Sequence, residues 1–477
     1  MKATIWGTGF GLLAMSWAAA LTAQTLPEFE QAFGPGKPGA GAVVRGDGLF
    51  RVDVPLEQYP EALCADGSHA VFYTRAASTR AHRDDWVIYL QGGGSCDSGQ
   101  DCYDRWRGQD GNFGANKLSS SFAPRGGIKA GGIENRRADN PFASWNHVFV
   151  YYCSSDAWTG QVADVALSAE HRGEQVEYRA HFQGAKIINA VVDMLQHNAG
   201  PLSYLDNEGR RQRMPDLDAA STVLFAGSSA GGSGVRSNAD RLGDHLRANN
   251  LRCDAEGCPL RYAAVIDASY GLSREILDHA DSRACGEALI GACSYELSMR
   301  HQWEIVQRGL RQGLSDQSCV AFHRETEDQW RCADGVHLLK HHLQTPFFAR
   351  VDLQDRLVMG NTIEAGYRYQ GVELDRALYG ALEEIQLREL AINDQLAEEP
   401  RAPGPLEPPG VFGPQCGDHE TLRSNQPTYQ RAIVADGQAY QMLELLQNWL
   451  NGDQPSAVIE NFDPEAMPAS CQLQNPG

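Results

Sequence analysis

Apolar positions along the chain fall into short unbroken runs, separated by longer segments with helical spacing. The runs are Ala70–Arg75, Trp86–Gln91 (WVIYLQ), His147–Cys153 (HVFVYYC), Thr222–Phe225 (TVLF), Tyr262–Ala268 (YAAVIDA) and Thr345–Val351 (TPFFARV). Runs of this length without alternation predict strands covered on both faces, as in a parallel sheet. A weaker alternation from Phe50 to Leu56 predicts an edge strand. Between the runs, Phe182–Gln196 puts Ile187, Val191, Val192 and Leu195 on one helical face. Tyr440–Leu450 reads as a terminal amphipathic helix, and Glu373–Glu398 as a helical stretch rich in acid. Strands alternating with helices predict an α/β fold: a mostly parallel central sheet flanked by helices.

Other segments break the pattern. Gln24–Leu49 is rich in Gly and Pro and reads as an entry segment with little regular structure. Glu399–Pro414 is proline-dense and is expected to be irregular. Ser269–His342 is helical in flavour and holds four cysteines, so it reads as a disulfide-rich helical insertion over the carboxyl edge of the sheet. Lys2 followed by the apolar run Gly9–Leu21 predicts a signal peptide, residues 1–23, ending near Ala23. Residues 24–477 then form a single domain, with no internal repeat or linker. The expected location is secreted or periplasmic, with no stable membrane insertion, and the expected state is a monomer.

Cysteine count and charge narrow the class. The twelve cysteines, an even number, predict a disulfide framework. Spacing pairs Cys96 with Cys102, Cys253 with Cys258, Cys285 with Cys293, and Cys319 with Cys332, although connectivity cannot be read from sequence. No C-x-x-C pair supports zinc. His337 and His341 share a helix face, but no third ligand is evident. A net charge of −20, with 61 acidic against 41 basic residues, argues against nucleic acid or anionic membrane as the main partner.

The chemistry concentrates in Thr222–Val235 (TVLFAGSSAGGSGV), where Gly227, Ser229 and Gly231 have G-x-S-x-G spacing. A serine at a sharp strand-to-helix bend needs small neighbours. The bend exposes its hydroxyl and aims the Ala230 N–H at the site where an oxyanion would form. Trp86–Gln91 runs into Gly92, Gly93 and Gly94, which leave bare amides at a strand's carboxyl end, where α/β sheets hold ligands. The polar and aromatic stretch Ser154–Gly160 suits either a pocket rim or an ordinary loop. A serine nucleophile needs a base, and in α/β-hydrolase-type sites the order is Ser, acid, His. Of fourteen histidines only His419 follows the strand that delivers Asp352 and Asp355. Asp355 suits the orienting acid better than Asp352, with Asp267 in reserve.

Several blocks in order resemble the pectin acetylesterase/Notum family of secreted serine carboxylesterases. LQGGGSC resembles its glycine stretch, NPFASWNHVFVYYCSSDAWTG its asparagine–tryptophan–strand–cysteine block, and FAGSSAGGSGV its serine motif. TPFFARVDLQD resembles its acid-bearing strand, and CGDH its cysteine-then-histidine segment. The resemblance implies an α/β-hydrolase-like fold, Ser229 as nucleophile, His419 as base, Asp355 as orienting acid, and an oxyanion hole from the amides of Gly93, Gly94 and Ala230. It implies two-step acyl transfer without metal or organic cofactor. The implied partner is an ester substrate, first an O-acetylated polysaccharide such as pectin; the alternatives are a broader aryl- or lipid-ester hydrolase, or a non-catalytic binding relic. Gln91, Gly94 and Ser95 depart from the family's glutamate and aromatic residues around the glycines, which points to a wider, less aromatic pocket.

Overall fold

The computed structural model describes residues 26–39, 41–109, 113–269, 295–353, 355, 357, 408–424, 432–435 and 437–460. Its centre is a nine-stranded sheet. In chain order the strands are β1 (Arg45–Asp53), β2 (Val71–Arg75), β3 (Asp85–Leu90), β4 (Asn146–Val150), β5 (Thr222–Ser228), β6 (Arg261–Asp267), β7 (Phe347–Arg350), β8 (Gly410–Gly413) and β9 (Ala457–Ile459). Their spatial order is β1-β2-β4-β3-β5-β6-β7-β8-β9. β2 pairs antiparallel with β1 and β4, and every pairing from β4 to β9 is parallel. This is an α/β-hydrolase-like sheet, and the unbroken apolar runs are its interior. Every residue of β2, β4 and β5 is buried, as two-sided covering requires.

The helices that matter for the site are α1 (Gly99–Arg107), α2 (Gly184–Leu195), α3 (Ala230–Asn249), α4 (Gln317–Phe322), α5 (Gly335–His341) and α6 (Met442–Asn451). α2 buries Ile187, Val191, Val192 and Leu195, the face its periodicity marks. Its first amide, on Gly184, donates to Asp156 Oδ2 at 2.7 Å. Asp156 also accepts from the Trp158 amide and the Ser154 hydroxyl, and all three residues are buried. Ser154–Trp158 is therefore an internal strut rather than an open rim. In the insertion, Arg311 is buried and donates to the Cys96 carbonyl at 2.7 Å and to Asp97, while the Leu314 amide donates to the Thr159 carbonyl. It thus reaches the carboxyl edge of the sheet.

The structure corrects several boundaries. Gly410–Gly413 lies within the stretch expected to be irregular, yet it pairs parallel with β7 and β9. Proline can flank so short a strand because it need supply no ladder amide there. A hairpin, Val162–His171 with Glu174–Phe182, packs on α1, and Tyr178 donates to the Gly99 carbonyl at 2.6 Å. Its charged outer face masks the apolar period. Disulfides join Cys64–Cys153, Cys96–Cys102, Cys253–Cys258 and Cys319–Cys332, and Cys416 is also bonded. The first of these joins distant segments and has no spacing signal. The expected signal peptide, the helix at Glu373–Glu398 and the Cys285–Cys293 pairing lie outside the described residues. No described helix is long and apolar enough to cross a membrane.

Candidate active site

Three consecutive crossings deliver the candidate residues to one edge. β5 ends at Ser228, and Ser229 turns the chain with φ 55° and ψ −123° before α3 begins at Ala230. A positive φ on a non-glycine residue costs about 1–3 kcal/mol, so the surroundings must enforce it. The Ser229 amide donates to the Asp267 carbonyl at 2.9 Å, and the Ser229 carbonyl accepts from the Ser233 amide at 3.0 Å. Gly231 is compulsory, because a Cβ there would overlap the Leu90 carbonyl at the end of β3. That close approach brings the elbow against the glycine turn. Helix α3 starts at Ala230, so the Ala230 amide lies in its open first turn, where helix amides lack internal acceptors.

The glycine turn is held by its carbonyls. Lys117 Nζ donates to the Gly92 oxygen at 2.8 Å, Arg105 Nη1 to the Gly93 oxygen at 2.7 Å, and the Tyr152 hydroxyl to the Gly94 oxygen at 2.8 Å. Trans peptides point N–H and C=O in opposite directions, so each captured carbonyl turns the next amide the other way. The amides of Gly93 and Gly94 have no acceptor among the described residues. Burial pushes the Lys117 ammonium down to about 7. Sequence reading missed all three donors. The available signal was their type: a buried cation must find acceptors, and Lys117 and Arg105 are both buried.

Asp355 and His419 meet directly. His419 Nδ1 lies 2.7 Å from Asp355 Oδ2, and Asp355 is fully buried. Its other oxygen accepts from the Leu357 amide at 3.0 Å. An ionised carboxylate accepts, so the ring proton sits on Nδ1 and the lone pair on Nε2. His419 Nε2 is buried and has no hydrogen-bond partner among the described residues. Burial works to lower the His419 pKa, but the bond and charge of Asp355 outweigh it and raise the net value.

The two other aspartates are mounts. Asp267 Oδ2 accepts from the Ser228 hydroxyl at 2.6 Å and from the Thr421 and Leu422 amides at 3.1 and 3.0 Å. Its Oδ1 accepts from Arg350 at 2.8 Å, and Arg350 also donates to Asp352 and to the His419 carbonyl. Asp352 Oδ2 takes the Asp418 amide at 2.6 Å. Burial works against the Arg350 charge, but Asp352 and Asp267 overcome it and hold the guanidinium protonated. A Cβ on Gly92 would overlap the Glu420 carboxylate and approach the Ser228 carbonyl at 2.6 Å. Elbow, glycine turn and histidine loop are therefore packed on one another. Two surface grooves, one beside Arg51 and Tyr204 and one beside Tyr59 and Asp193, are lined by none of these residues.

With this geometry in hand, likeness to known proteins becomes informative. Residues 53–257 match the family model described as pectinacetylesterase. The palmitoleoyl-protein carboxylesterase Notum of Schmidtea mediterranea is 25% identical over 401 residues, 83% of this chain and 63% of that protein. Human Notum, under the same description, is 27% identical over 376 residues, 75% of this chain and 59% of that protein. The chain thus spans about three fifths of the length of these curated relatives. Among solved structures, the Wnt deacylase Notum from Drosophila superposes with a TM-score of 0.61 at 23% identity, covering 89% of this chain and 99% of that one. That likeness establishes the shared fold. The family model, the carboxylesterase relatives and the common architecture agree in one respect: the chain is similar to the pectin acetylesterase/Notum family, by the family model over residues 53–257 and by its relatives over most of its length.

Proposed function

We propose that the chain is an exported serine carboxylesterase that works through an acyl-enzyme. One observation carries the reading: the bond from half-buried His419 to buried Asp355 leaves Nε2 without a partner among the described residues, on a loop hydrogen-bonded to the strand ends beside the Ser229 elbow. In this mechanism Ser229 Oγ attacks the ester carbonyl and passes its proton to His419 Nε2. The amides of Gly93, Gly94 and Ala230 receive the oxyanion, and Asp355 stabilises the imidazolium. The alcohol leaves with the proton from His419, and water repeats the sequence on the acyl-Ser229 ester. Residues 24–477 act as one domain once residues 1–23 are removed on export, and the disulfides support an oxidising compartment.

The substrate class we favour is an O-acetyl ester on a polysaccharide, in keeping with the family description of residues 53–257. The relatives described as palmitoleoyl-protein carboxylesterases favour a second reading, a lipid-ester deacylase. Phe113, stacked on Arg105 at 5.1 Å, stands beside Gly94 and gives an apolar face there. Fluorophosphonate labelling of the full chain and of Ser229→Ala tests the mechanism; equal labelling removes Ser229 from its role. Rates on p-nitrophenyl acetate and octanoate, followed by acetylated pectin and xylan, separate the substrates. A strong preference for octanoate would overturn the acetyl-ester reading.

A further inference from the structure

Away from the elbow, the segment between β6 and β7 gathers three imidazoles. His323 follows α4, His337 lies within α5, and His342 caps it. His337 Nε2 is 2.9 Å from His323 Nε2 and 3.2 Å from His342 Nε2. A neutral imidazole nitrogen is either one donor or one acceptor in the ring plane. His337 Nε2 can therefore satisfy one of these neighbours, not both. Hydrogen bonding leaves the cluster incomplete, although His323 and His342 are buried, at 7% and 1% exposure.

The spacing has a different explanation. Zinc binds imidazole at about 2.0–2.1 Å in tetrahedral geometry, which sets ligand nitrogens about 3.3 Å apart. We propose that His323, His337 and His342 form a mononuclear site for a divalent transition metal of the zinc class, with three Nε2 ligands and a fourth position for water. Nitrogen ligands without carboxylates exclude calcium and magnesium as the intended ion. The ligand atoms of these three residues and Cys319 all lie within 4.8 Å of one another. Cys319 is bonded to Cys332, so its sulfur is no thiolate, and the disulfide closes one side of the site. Phe322 flanks the other, with ring centroids 5.0 Å from His323 and 5.4 Å from His342. The neighbouring cation, Arg331, is engaged by Asp328 at 3.6 Å and by the Trp330 face at 4.9 Å. The pattern expected from sequence, His337 with His341, changes: His341 packs beside His337, with centroids 5.2 Å apart, and lies outside the converging set. Bound there, the ion would tie the end of α4 to both ends of the α5 turn.

The test uses the full chain, stripped with chelator and dialysed against zinc, with metal measured by mass spectrometry. About one zinc per chain should remain, and Co²⁺ in its place should show the intense visible bands of a low-coordinate nitrogen site. His337→Ala should lose the metal or weaken it by at least about a hundredfold, since even outer-shell losses reach that size. His341→Ala should retain it. Ester hydrolysis by the metal-free His337→Ala protein reports folding independently of metal. Absence of retained metal, equal retention by His337→Ala, or loss in His341→Ala would each overturn the three-histidine assignment.

Discussion

Arg350 on β7 donates to Asp267 at the end of the adjacent β6 at 2.8 Å, and both side chains are closed to solvent. The pair is the mount of the candidate site. Asp267 also binds the last residue of β5 and two amides just beyond His419, while Arg350 reaches the His419 carbonyl. Removing Arg350 would take away the buried cation that faces both Asp267 and Asp352. Arg350→Met is expected to cost about 3–5 kcal/mol in unfolding free energy. Adding Asp352→Asn should recover part of it. Urea unfolding monitored by fluorescence gives both values, and equal midpoints for wild type and Arg350→Met would refute the role.

Asp355→Asn keeps the shape of the carboxylate but cannot hold the same tautomer or offset an imidazolium. The turnover number should fall by about three powers of ten or more, with KM little changed and folding preserved. Steady-state kinetics on p-nitrophenyl acetate measures it.

The pH dependence has opposite signs for rate and stability. Asp355 raises the His419 pKa above its ordinary 6.5 despite burial. Catalysis needs the neutral ring, so kcat/KM should climb with pH through a midpoint above about 6.5. The imidazolium–carboxylate attraction acts the other way: its contribution to stability is complete below the unfolded pKa and is lost as pH rises through the folded one. In residual activity of Asp355→Asn the acid limb should move to lower pH, because the two largest raising interactions are then gone while burial remains. A limb that stays in place would separate Asp355 from this titration.

Lys117→Met removes the donor to the Gly92 carbonyl and frees the peptide that presents the Gly93 amide. The turnover number should drop by about tenfold to a hundredfold, less than the loss of a whole oxyanion donor. KM for small esters should barely move. A variant with unchanged kcat would show that the turn keeps its shape without the lysine.

How much of this was legible in the letters depends on the range of each cause. The elbow was visible because its constraint is local: Gly227 and Gly231 must be small where strand, helix and the Leu90 carbonyl crowd together. Chain order singles out Asp355 and His419, and the structure brings their side chains within 2.7 Å. Asp267, weighed as a reserve acid, is instead saturated by four donors. Lys117, Arg105 and Tyr152 were missed, since their partners are carbonyls 25, 12 and 58 residues away. β8 hid in a proline-dense stretch because four residues are too few for a period to show. The third imidazole near His337 stood beyond any helix spacing, at His323.

Asp267 receives hydrogen bonds both from the strand that carries the elbow and from the loop that carries the imidazole. A single carboxylate is therefore a shared datum for both halves of the machinery. Drift of that carboxylate displaces the Ser229 elbow and the His419 loop together, so their mutual alignment survives motions that would spoil two separately anchored groups. Residues lining the substrate's path that touch neither Asp267 nor its partners can then diverge, and new specificities can arise, without re-registering the reaction centre.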